Sequence, residues 1–167
     1  ILLIFLSFEV HAIDTKAQQA VVIDFDTMEV LFEKNANEKV IPASMTKIMT
    51  VYVAFDRIEN SNLSLQSLCR VSAKARKMKG SRTFLEMDED VTIETLLKGI
   101  IVQSGNDASV ALAECLSGTE ADFAKLMNFY AQDIGMSNSN FKNSSGWPHP
   151  DLISKVYMND HYSSVYD

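Results

Sequence analysis

The chain has 167 residues, 47% of them apolar, and a net charge of −7. That is the length of one ordinary domain, with enough apolar material for a sizeable core. The acidic balance without any Lys/Arg run argues against nucleic acid as a partner. The absence of G-x-x-x-x-G-K, H-E-x-x-H and G-x-G-x-x-G removes the usual support for phosphate-loop, zincin and dinucleotide chemistry, so no cofactor is expected.

Ile1 to Phe8 is almost wholly apolar and is followed by Val10-His11-Ala12. This reads as the apolar centre of a secretory signal without its basic start, cleaved after Ala12, and is too short to span a bilayer. A buried first strand is the alternative. Residues 1–12 are therefore expected to be a signal remnant, residues 13–167 one domain, and the destination an envelope or extracellular compartment.

Ala20 to Asp24 is a β-branched run, Asp24 to Thr27 has turn chemistry, and Glu29 to Glu33 alternates, which predicts a β-hairpin. A polar loop, Asn35 to Lys39, leads to Ile-Pro-Ala-Ser-Met-Thr-Lys-Ile-Met-Thr at 41–50. Pro42 and Ser44 are expected to start a helix running to Ile58. Residues three apart share a helix face, so the Ser44 hydroxyl and Lys47 amine become neighbours. Between Ser44 and Ile58 only Lys47, Asp56 and Arg57 are charged, and a helix apolar on nearly every side is predicted to be buried.

An ammonium in such a place is costly unless paired or deprotonated. A desolvated lysine is one of the few groups able to take a serine proton near neutral pH, and the helix N-terminus favours an oxyanion forming there. The competing reading is a helix-capping serine followed by a lysine that reaches water, and S-x-x-K alone does not decide between them.

Asn60 to Ser67 reads as a surface connection, and the basic residues between Val71 and Gly80 as a solvated face ending in a Gly80-Ser81-Arg82 turn. Thr92 can cap a helix over 92–104 whose apolar positions are Ile93, Leu96, Leu97, Ile100 and Ile101. A second helix over 107–117 follows the corner Gln103-Ser104-Gly105-Asn106-Asp107. Ser104 and Asn106 on that corner could point into a cleft or could simply make a helix–helix turn. Thr119 and Asp122 open a helix over 120–133 that buries Phe123, Leu126, Met127 and Tyr130 and closes at Gly135. From Ser137 onward the chain reads as loop, kept irregular by Pro148 and Pro150. Cys69 and Cys115 make no metal spacing; export would let them pair, but they are read as core or surface thiols.

Three stretches in order, Pro42-Ala43-Ser44-Met45-Thr46-Lys47-Ile48-Met49-Thr50, Lys79-Gly80-Ser81-Arg82 and Leu96-Leu97-Lys98-Gly99-Ile100-Ile101-Val102-Gln103-Ser104-Gly105-Asn106-Asp107-Ala108, resemble the low-molecular-weight penicillin-binding proteins. These are serine D-alanyl-D-alanine carboxypeptidases of the bacterial envelope, and the resemblance runs from about Ala20 to Pro150. It implies an α+β, β-lactamase/transpeptidase-like fold with helices packed on an antiparallel sheet, incomplete here at the C-terminus. It implies Ser44 as the acylated nucleophile, Lys47 as its base, Ser104 as a proton relay to the leaving amine, and Asn106 as a ligand for the substrate's peptide amide.

The implied partners are a peptidoglycan stem peptide ending in D-Ala-D-Ala and β-lactam antibiotics. The implied location is the periplasm or the outer face of the inner membrane, with peripheral membrane association through a C-terminal tail that these residues do not include. The sequence departs from the family in three places. Met28 stands where a glycine is usual, which predicts a looser hairpin turn. No lysine is followed by Thr or Ser and then Gly, so the family's third motif, with its carboxylate anchor and one oxyanion donor, is missing. Leu152 to Asp160 looks inserted before a resumed family segment, His161-Tyr162-Ser163-Ser164-Val165-Tyr166-Asp167. The missing third motif keeps open a non-catalytic remnant that at most binds muropeptide or a partner; Ser-x-x-Lys is also shared by serine β-lactamases.

Overall fold

A computed structural model describes residues 15–147 and 160–167. The expected signal remnant at 1–12 lies outside the described residues, as does the expected insertion apart from Asp160.

The predicted hairpin is present: β1 (Ala20–Ile23) pairs antiparallel with β2 (Val30–Lys34), from Ala20 opposite Lys34 to Ile23 opposite Val30, slipping register after Val22. Its turn is closed, contrary to the looser one expected. Asp24 Oδ1 accepts from the Asp26 and Thr27 amides and from the Thr27 hydroxyl, contacts that hold its carboxyl below the usual carboxylate range. Met28 takes a left-handed φ of +60° that a glycine would adopt freely; for an L-residue this costs roughly 1–2 kcal/mol.

A 3-10 turn at Ala43–Met45 leads into α1 (Thr46–Glu59). β3 (Leu68–Arg70) and β4 (Asp90–Thr92) pair antiparallel, with the short α2 (Ala73–Arg76) between them. α3 (Ile93–Gln103) is capped by Thr92, whose hydroxyl accepts from the Thr95 amide, and α5 (Glu120–Asp133) by Thr119, which accepts from the Asp122 amide. Between them lies α4 (Asn106–Ser117), ended by Gly118 at φ +78°. Both caps and the glycine stop match the expected boundaries.

The core is built around α4. Ala108, Val110, Ala111, Leu112 and Ala113 are fully buried, and the small residues among them let α1, α3 and α5 approach closely with Val53, Leu96, Ile100, Phe123 and Met127. β3 and β4 close one side through Cys69 and Val91, joined by Val71 just after β3. Residues 161–167 return to the fold: Val40 and Ser163 exchange backbone hydrogen bonds at 2.8 and 3.0 Å, and Asn140 pairs with Tyr162.

Two expectations are corrected. α1 is not buried all round: Met49, Val53 and Ala54 face the core, whereas Ile48 is 73% and Phe55 50% exposed. Cys69 and Cys115 are not thiols but a disulfide joining β3 to α4, their Cα atoms 5.3 Å apart. The architecture is α+β as expected, with its antiparallel strands in two separate pairs.

Candidate active site

Ser44 sits in the 3-10 turn, two residues before α1 begins, and Lys47 in the first turn of α1. The turn is tightly held. Ala43 has a left-handed φ of +46°, and a Cβ on Gly146 would come within 1.7 Å of the Ala43 carbonyl oxygen, so that position admits only glycine. Backbone held in a sparsely populated conformation beside a candidate nucleophile is a recurrent feature of functional sites.

The Lys47 side chain is 5% exposed and runs inward to three acceptors. Nζ lies 3.3 Å from Ser44 Oγ, 2.8 Å from Asn106 Oδ1 and 2.7 Å from the Ser145 carbonyl oxygen. Burial pulls the amine down from its ordinary 10.5 to about 8. An ammonium fills all three acceptors. The neutral amine keeps two N–H donors for Asn106 and Ser145, and its lone pair is left facing the Ser44 hydroxyl.

Asn106 comes from the first turn of α4. Since the Lys79 carbonyl can only accept, Asn106 Nδ2 must face it, donating at 2.6 Å, which turns the Asn106 oxygen toward Lys47. The Asn106 amide donates to the Ser81 carbonyl at 2.8 Å, tying the Lys79-Gly80-Ser81 turn to the corner. Next to it, buried Asp107 accepts from the Thr83 and Leu85 amides, and Gly105 leaves room for Thr83, whose Oγ1 would lie 2.4 Å from a Cβ there. Ser104 ends α3 with a left-handed φ of +54° and lines, with Ser44, Lys47, Ile48, Val51, Ile100 and Ile101, a cleft of about 330 Å³. It makes no hydrogen bond to Ser44 or Lys47.

All four sequence-predicted residues therefore meet at one place, with Ser44, Lys47 and Asn106 in a hydrogen-bonded chain and Ser104 across the cleft. Asn106 has both ends of its amide engaged by protein groups, so a substrate amide would have to share or displace one of them. Sequence reasoning missed the Ser145 carbonyl, since a backbone oxygen leaves no mark on residue type. It also missed His161, which is 3% exposed behind the site. Its Nδ1 accepts from the Lys142 amide at 3.0 Å, so the ring proton is on Nε2, 2.8 Å from Thr46 Oγ1. Burial, with Lys142 nearby, pushes the ring down to about 4, so it is a neutral buttress.

A serine hydroxyl against a dry lysine amine at the lip of a cleft, on helices flanked by antiparallel strands, puts the chain in the transpeptidase-like fold class. The chain belongs to the D-alanyl-D-alanine carboxypeptidase family of peptidases, whose profile matches residues 7–167. It is 43% identical to the D-alanyl-D-alanine carboxypeptidase DacF of Bacillus subtilis, covering 91% of this chain and 37% of that protein. To DacC of Escherichia coli it is 36% identical, over 87% of this chain and 38% of that protein. Among solved structures it matches the carboxypeptidase DacD of Francisella tularensis with a TM-score of 0.83 at 35% identity, covering 92% of this chain and 35% of that one. Penicillin binding protein 5 of Haemophilus influenzae matches at a TM-score of 0.82 and 32% identity, over 93% and 44%. The chain thus spans between a third and a half of the length of these relatives.

Proposed function

We propose that this chain is the nucleophile-bearing part of a serine D-Ala-D-Ala carboxypeptidase that acts on peptidoglycan stem peptides in the bacterial envelope, exported there by the segment at 1–12. The observation that carries this reading is the Lys47 amine, dry and 3.3 Å from Ser44 Oγ, with its two other acceptors supplied by the protein. Neutral Lys47 takes the Ser44 proton as Oγ attacks the penultimate D-Ala carbonyl. The tetrahedral oxyanion collapses to an ester on Ser44, and the C–N bond to the terminal D-Ala breaks. The proton held by Lys47 passes to that leaving nitrogen, with Ser104 across the cleft as the relay. Water then hydrolyses the ester and frees Ser44. β-Lactams, which carry a strained amide of the same kind, would acylate the same hydroxyl.

Incubation of the full natural chain with a fluorescent penicillin tests this: label is expected on Ser44 and lost in Ser44→Ala. A wild-type protein that takes up no label refutes the assignment. Slow release of the label, over many minutes, separates it from a β-lactamase. D-Ala release by the 167 residues alone would rule out the reading in which they only bind muropeptide.

A further inference from the structure

The Lys47 amine is aimed by a carbonyl, and that carbonyl by a carboxylate on another helix. The loop 143–146 is tied down on several sides. Asn143 Oδ1 accepts from the Ser145 and Gly146 amides at 3.1 and 2.7 Å, and the Ser144 carbonyl accepts from Thr50 Oγ1 at 2.6 Å. From α5, Glu120 Oε1 accepts from both the Ser144 amide at 3.0 Å and the Ser144 hydroxyl at 2.8 Å. Glu120 is only 7% exposed, and its other oxygen pairs with Lys74 Nζ at 2.7 Å. A buried carboxylate is costly unless paired and hydrogen-bonded, as this one is. The next residue, Ser145, is the one whose carbonyl lies on Lys47.

Resting on the acyl-transfer reading above, we propose that Glu120 is a positioning residue: by fixing Ser144 it holds the Ser145 carbonyl on Lys47 Nζ, and so directs the amine's lone pair at Ser44. Without that acceptor the neutral amine can turn its lone pair away from Ser44, and acylation slows. The same loss withdraws one of the partners that favour the ammonium, so the amine releases its proton at lower pH. Lys74, from α2, is the charged side chain paired with Glu120, and among the described residues no charged side chain is hydrogen-bonded or ion-paired to Lys47.

The test uses the full natural chain and two readouts: the rate of penicillin acylation against pH, and the titration of Lys47 followed by NMR of its ε-methylene. Glu120→Ala should acylate at least tenfold more slowly and move the Lys47 midpoint down by about one unit, the worth of one hydrogen bond to a charged group. Glu120→Gln, which keeps an oxygen for both Ser144 donors, should stay within about threefold of wild type with an unmoved midpoint, since a neutral acceptor suffices for positioning. Glu120→Asp, a methylene shorter, should fall between and serves if the alanine variant fails to fold. A folded Glu120→Ala or Glu120→Asp with a wild-type midpoint and rate overturns the inference. So does a slower variant whose midpoint stays put, because a merely structural role lowers the rate without moving the titration. Failure of the acyl-transfer reading looks different: wild type itself takes no label, while the Lys47 midpoint still responds, or fails to respond, to Glu120.

Discussion

At Lys47 the opposing influences can be ordered. Burial disfavours the ammonium, the two protein oxygens at 2.7 and 2.8 Å favour it, and burial wins, leaving the amine near 8 rather than 10.5. At pH 7 about a tenth of the molecules then hold the neutral base. Acylation by a β-lactam should therefore rise with pH and level off above about 8, a profile measurable by stopped-flow quenching. Lys47→Ala should lower the rate by on the order of 10²–10⁴ and remove the rise. Lys47→Arg should do no better, since a guanidinium does not give up its proton. His161 makes the complementary case for stability. Unfolded, the ring takes a proton near 6.5; folded, only near 4. Between those values the unfolded state holds more protons, so stability must fall as the pH drops from about 6.5 to about 4. Urea midpoints across that window should decline by the equivalent of a few kcal/mol, and His161→Gln should flatten the decline.

At the scale of elements, the helices were legible because their boundaries have chemistry. Thr92, Thr119 and Gly118 are at the caps and the stop that residue type announced, and the apolar spacing of Ile93, Leu96, Leu97 and Ile100 faces the core. β3 and β4 were not, because three residues are too short for an alternation to show. The pairing of Cys69 with Cys115 depended on a ladder that could not be seen and so was read as free thiols. At the site, Ser44, Lys47, Ser104 and Asn106 were legible because their side chains carry the chemistry. Ser145 was not, because its contribution is a carbonyl, and neither was Glu120, whose partner is that loop. The disulfide has a consequence of its own. It closes a loop of 46 residues that contains α2, β4, α3 and most of α4. Cross-linking a loop of that size stabilises by roughly 4 kcal/mol in the chain-entropy view. Cys115→Ala in a Cys69→Ala background should lower the urea midpoint accordingly. Ser44 and Lys47 lie outside that loop and Ser104 and Asn106 inside it, on helices packed into the same core, so such a double variant that still folds keeps the Lys47–Asn106 contact and should be acylated at nearly the wild-type rate.

At the scale of the whole molecule, the described residues form a well-packed core around α4 and leave an apolar face open on α1. Met45, at the turn before α1, and Ile48, Tyr52 and Phe55 along it face solvent, and Ile101 and Val102 are exposed at the end of α3, 62% and 80% respectively. Beside them an apolar groove of about 340 Å³ runs over Met45, Ile48, Tyr52, Ile134 and Met136. Contiguous apolar surface of this extent is unusual on a stable monomer. The β1–β2 hairpin adds a short two-stranded sheet with exposed edges, and Val30 and Leu31 are themselves exposed. On its own, then, the 167-residue chain should self-associate or melt broadly at low temperature, even though its helical core is closely packed. Size-exclusion chromatography with light scattering, together with a thermal scan, checks this directly. A monodisperse monomer with a sharp cooperative melt would mean that the α1 face is tolerated in water. Rescue of a single transition by Ile48→Lys with Phe55→Glu would instead identify that face as the cause, since both side chains point away from the core.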